Sequence, residues 1–99
     1  MKDYEKILEK LKELKPYLEK EYSVEEIGVF GSYVRDEQTE NSDIDILVGL
    51  KQGHCVGVIK FCGLQIFLSG IFNKKIDLVS KRGIHPALKK YILSEVKYA

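Results

Sequence analysis

The sequence predicts a small α+β domain, close to α/β in the order of its elements, with a mixed three-stranded sheet packed by helices. Three observations carry that expectation. Short runs with apolar residues at every second position, Ile44-x-Ile46-x-Val48-x-Leu50 and Ile76-x-Leu78, read as half-buried strands. Longer stretches at both ends of the chain space their apolar residues three and four apart, as helices do. The segment between Leu50 and Lys74 is long enough for a helical crossover between parallel strands.

Taken in order, Tyr4, Ile7, Leu8, Leu11, Leu14 and Leu18 form the inner stripe of a first helix, with Lys and Glu between them. Pro16 predicts a break near Lys15 and a short second piece to about Glu21, because proline lacks a backbone donor and disfavours helix in the residue before it. Glu26–Phe30 reads as a strand ending at Gly31, and Ser32 opens a helical turn through Arg35. The polar stretch from Asp36 to Ser42 is too short for a crossover with a full helix, so the first two strands are expected to be antiparallel neighbours. Val56 to Phe72 is dense enough in apolar residues for a mostly buried helix, weakened by Gly57, Gly63 and Gly70. Lys75–Val79 is a third strand, and Pro86 suits the first position of a final helix with Leu88, Tyr91, Ile92 and Val96 inside.

Ninety-nine residues with 44% hydrophobic and 31% charged side chains point to one soluble globular domain over residues 1–99. The net charge of +1 gives no reason to expect nucleic acid as a direct partner. Neither a secretory leader nor an apolar run of membrane-spanning length is present, so the cytoplasm is the expected location and no membrane partner is expected. Cys55 and Cys62, about 10 Å apart along a helix, cannot pair and are read as reduced and structural. His54 and His85 fall near helix starts without matching ligands, which favours surface or capping roles.

The chemistry concentrates around Gly31-Ser32 and Ser42-Asp43-Ile44-Asp45. On a strand Asp43 and Asp45 share one face, and two acids pointing the same way repel unless a cation lies between them. Asp77 repeats that phase on the third strand, so adjacent strands would gather three carboxylates at one edge of the sheet. Magnesium is bound by one or two carboxylates together with substrate phosphates, which makes a metal site the first expectation. Asp77 could instead take a proton from an attacking hydroxyl. A glycine after a strand lets a ligand approach the backbone, where N–H groups attract phosphate. Arg35 could neutralise phosphate charge or pair with Asp36 or Glu37. The spacing fits neither a P-loop nor a dinucleotide fingerprint, and Leu47 stands where an EF-hand needs an oxygen ligand.

Gly31-Ser32, Ser42-Asp-x-Asp45 and an isolated Asp77 within Ile-Asp-Leu-Val together resemble the minimal nucleotidyltransferase family of the polymerase-beta-like superfamily, over nearly the whole chain. The resemblance implies the polymerase-beta-like fold and the transfer of a nucleoside monophosphate, AMP from ATP, to a hydroxyl with the help of magnesium. Gly31 and Ser32, with Arg35 and Ser42 nearby, would hold the nucleotide. Asp43 and Asp45 would hold the metal, and Asp77 would serve as base or third ligand. It further implies an antitoxin whose partner and acceptor is a HEPN-domain toxin, neutralised by adenylylation. Self-association and a hetero-oligomer with the toxin both remain open. The sequence departs from the family's common Arg-Gly at Arg35-Asp36, and Asp36 is expected to face solvent. Two alternatives stand beside this reading: an antitoxin acting by contact alone, and transfer to a small hydroxyl compound.

Overall fold

In the computed structural model, residues 2–51 and 57–99 are described. The expectations for His54, Cys55 and Val56 fall outside that set. Helix α1 spans Asp3–Tyr22 as one 20-residue element, so the break expected at Lys15 does not occur. Ile7, Leu11 and Leu18 are buried along its inner stripe, while Pro16 lies on the exposed side. There water can take up the carbonyl that proline leaves without a donor, and burial of the stripe outweighs the local cost. Ser23 ends the helix in a left-handed conformation (φ 56°), its N–H donating to the carbonyls of Leu18 and Glu19.

Among the described residues the sheet has four strands rather than three, in the order β3-β2-β1-β4. Strand β1 (Val24–Phe30) runs antiparallel to β2 (Ile44–Leu50), and β2 runs parallel to β3 (Ile76–Ser80), as the connection lengths require. The first strand begins at Val24, ahead of the expected Glu26, because Val24 pairs with Leu50 across an irregularity between Val24 and Glu26. The additional strand, β4 (Lys97–Tyr98), pairs antiparallel with Gly28 and Val29. It depends on a missing side chain: a Cβ on Gly28 would lie 2.7 Å from the Lys97 carbonyl oxygen and 2.9 Å from Val96 Cγ2.

Alternation along the strands divides the sheet into two surfaces. Ile44, Ile46 and Val48, with Val24, Ile27, Val29, Ile76 and Leu78, pack against α1 and against Leu64 and Leu68 of α2 (Val58–Phe72). Phe30 and Leu47 face the other way and pack with Ile84 and with Ile92 of α3 (Pro86–Glu95). Helix α2 is not mostly buried as expected. Only Leu64 and Leu68 are buried, and Ile59 and Ile66 are 90% and 72% exposed. The helix is apolar on all sides, but the sheet can cover only one of them. Cys62, free and exposed, is not the packed structural residue expected. Among the described residues no helix is long and apolar enough to cross a membrane.

Candidate active site

The parallel register of β2 and β3 sets Asp45 directly opposite Asp77. Both project to the α3 side of the sheet, because each precedes by two positions a residue of the apolar group there, Leu47 and Val79. Asp43 stands one residue before β2 begins. Asp45 is only partly exposed, and its carboxyl pKa is pushed up to about 6. Burial is the largest cause, followed by the charge of Asp77, a hydrogen bond with Asp77 and the charge of Asp43. The Arg35 guanidinium pulls the other way. Among the described residues no three His, Cys, Asp or Glu side chains converge closely enough to hold an ion by themselves. A partly buried acid pair nevertheless fits magnesium, which takes only one or two protein carboxylates and completes its shell from phosphate and water.

Beside this pair stands the Gly31–Ser32 turn. Phe30, the last residue of β1, pairs with Asp45, so the chain turns immediately next to the carboxylate. Gly31 has φ 80°, and a Cβ placed there would overlap the Asp45 carboxylate, 2.9 Å from its Cγ. Glycine is therefore required twice, for its backbone angle and for the space. The turn is a single 3₁₀ segment, Gly31–Tyr33, and not the opening of a longer helix. Among the described residues the Ser32 hydroxyl has no hydrogen-bond partner.

The other expected site residues are engaged by the protein itself. Arg35 Nε donates to Glu37 Oε1 at 2.9 Å, which realises one of the two pairings expected for it. Its Nη1 donates to both carboxylate oxygens of Glu95 at 3.0 Å and lies 3.2 Å from the Tyr91 hydroxyl. Glu95 Oε1 also accepts from the Gly31 N–H at 2.8 Å. Asp36 is exposed and left-handed (φ 59°), a conformation that a glycine accepts freely and aspartate tolerates. Ser42 Oγ accepts from the Thr39 N–H at 2.8 Å and so closes the loop that delivers Asp43. His85 has the capping role expected: its Nδ1 accepts from the Ala87 N–H at 3.1 Å at the start of α3. Glu95 has no local pattern to mark it, since it lies 60 residues from Arg35. Tyr91 and Leu88, expected on the inner stripe of α3, are exposed instead, and Tyr91 turns its hydroxyl to Arg35.

Residues 5–99 match the nucleotidyltransferase domain family. A relative from Methanocaldococcus jannaschii, provisionally named a protein adenylyltransferase, is 40% identical over 99 residues, covering 99% of each chain. The protein adenylyltransferase MntA of Thermococcus cleftensis is 40% identical over 84 residues, 85% of this chain and 83% of that one. Among solved structures, one provisionally described as a minimal nucleotidyltransferase aligns with TM-score 0.77 and 29% identity, over 96% of this chain and 94% of that one. A toxin–antitoxin structure with AMP-PNP aligns with TM-score 0.70 and 27% identity, over 97% of this chain and 71% of that one.

Proposed function

Because the chain belongs to the nucleotidyltransferase domain family, we propose that this nucleotidyltransferase moves AMP from ATP to a hydroxyl of a HEPN-domain toxin, which it neutralises as antitoxin in the cytoplasm. The observation that carries the proposal is the Asp45–Asp77 pair, set in register across two strands beside the Gly31–Ser32 turn. Relatives named for protein adenylylation and a toxin–antitoxin neighbour with AMP-PNP support the nucleotide and the class of acceptor.

Of Asp43, Asp45 and Asp77, one or two at a time would hold magnesium, which when bound neutralises phosphate charge and orients the triphosphate. The Ser32 hydroxyl and the backbone around it would bind the phosphates. Asp77 is more exposed than Asp45, so an incoming hydroxyl can reach it and pass its proton to that carboxylate. The acceptor oxygen bonds to the α-phosphorus, the bond to the bridging oxygen breaks, and pyrophosphate departs. Asp77 is exposed at the sheet, which fits an acceptor protein that brings its own hydroxyl to it.

The test is the intact mass of the partner toxin after incubation with this protein, ATP and magnesium. The expected result is a gain of whole AMP units that disappears with Asp77→Asn. A stable complex that forms without any mass gain would replace the proposal with neutralisation by contact.

A further inference from the structure

Glu95 occupies a position that local helix physics disfavours. It is the last residue of α3, where the helix dipole is negative and a basic side chain is preferred. Its side chain is only 15% exposed. Both costs are offset by one arrangement, in which the Gly31 N–H donates to Oε1 at 2.8 Å and Arg35 donates to both oxygens at 3.0 Å.

A carboxylate beside a candidate phosphate site can act in two opposed ways, as a competitor for the same donors or as a brace for them. The hydrogen bonds of the turn favour the brace. The N–H groups of Val34 and Arg35 close onto the Gly31 carbonyl, that of Asp36 onto Tyr33, and that of Glu37 onto Ser32. Ser32 and Tyr33 precede the first of these bonds, so their N–H groups have no partner within the turn. Glu95 therefore takes one donor, that of Gly31, and engages neither of the next two N–H groups nor the Ser32 hydroxyl.

Glu95 is itself fixed from both sides. Ile92 is buried under the sheet before it. After it β4 pairs with β1, the Ala99 N–H donates to the Ile27 carbonyl at 2.9 Å, and Lys15 Nζ donates to the Ala99 carbonyl at 3.0 Å. Its position is thus set by the sheet edge and not by a mobile side chain alone.

We propose that Glu95 is a positioning residue for the nucleotide: through Gly31 and Arg35 it holds the Gly31–Ser32 turn in the shape that receives the triphosphate. Residues 95–99 are then part of the frame of the binding site. The inference rests on the proposed nucleotide site and adds to it a residue that touches no substrate.

The test measures ATP affinity by titration with magnesium, together with KM and kcat for transfer, in full-length wild type, Glu95→Ala and Glu95→Gln. Loss of a charge-assisted hydrogen bond corresponds to weakening by about tenfold. Glu95→Ala is expected to weaken ATP binding and raise KM by that factor, with kcat changed by less than about threefold. Glu95→Gln retains an acceptor for the Gly31 N–H and is expected to recover most of the affinity, leaving a weakening of about threefold from the lost charge on Arg35. Unchanged or tighter ATP binding by Glu95→Ala would overturn the inference, since a bystander gives the first and a competitor the second. If Glu95→Ala does not fold, the isosteric Glu95→Gln decides alone, and wild-type affinity in that variant overturns it. Wild type that binds no ATP in the same titration overturns the nucleotide site itself, and the inference with it.

Discussion

Along β2, Ile44, Ile46 and Val48 turn one way and Asp45, Leu47 and Gly49 the other, and the two rows meet very different surroundings. The first row is buried against helices α1 and α2, in a cluster with no buried charged residue among the described residues. The second has one apolar residue, Leu47, under α3, flanked by an acid at one end and a glycine against Glu26 at the other. The chain gains stability on the first row and gives some up on the second. Burial of the first row favours folding, and the half-buried acid in the second opposes it.

The sign of that opposition follows from Asp45. Its folded pKa of about 6 lies above the ordinary 3.8, so the folded state holds a proton that the unfolded chain has already released. Stability is therefore highest below about pH 4 with respect to this group and is lost as the pH rises through about 6. A shift of this size is worth at most ~3 kcal/mol, and partial solvent screening reduces it to ~1–2 kcal/mol.

Substitutions on each surface sharpen the contrast. Ile46→Ala removes a fully buried side chain from the first row and is expected to cost ~3 kcal/mol in denaturant unfolding, while leaving ATP affinity intact in the folded fraction. An equal loss of ATP affinity would mean that the two rows are not separable. Gly31→Ala is expected to cost ~2 kcal/mol, from the positive φ and the overlap with the Asp45 carboxylate, and here ATP binding should be lost along with stability. Retention of both would show that the turn can move away from Asp45. The smallest effect is expected on the outer side of α2, where Ile59→Lys should change stability by less than ~0.5 kcal/mol because no described residue covers that side chain, which is 90% exposed. A larger drop in Tm, measured in dilute solution, would indicate that this surface is covered.

Much of this arrangement can be read from residue spacing. The period-two pattern gives the phase of β2 and β3, and phase alone aligns Asp45 with Asp77 once the strands are neighbours. The length of the polar loop after Arg35 gives the antiparallel first pair. Tertiary contacts decide the rest. Lys97–Tyr98 is too short to show alternation, and its pairing hinges on the absence of a side chain at Gly28. Pro16 reads as a break because propensity is local, whereas Leu11 and Leu18 on either side of it are held by the sheet. Helix α2 reads as core because its composition says nothing about how many neighbours the chain can provide. Glu95 is hidden for a related reason: its partners Gly31 and Arg35 lie at the other end of a β-strand pairing that the sequence does not announce.

The division of labour between the two rows is tested most directly by Asp45→Asn, with thermal unfolding and AMP transfer to the partner measured on the same preparation. Removing the strained charge should raise Tm at pH 7 by roughly 4–10 °C and have little effect near pH 4, while AMP transfer falls at least about a hundredfold. A Tm that falls at pH 7, or transfer that survives the substitution, would contradict the account, because Asp45 would then be a structural residue and not a charge held at the expense of stability.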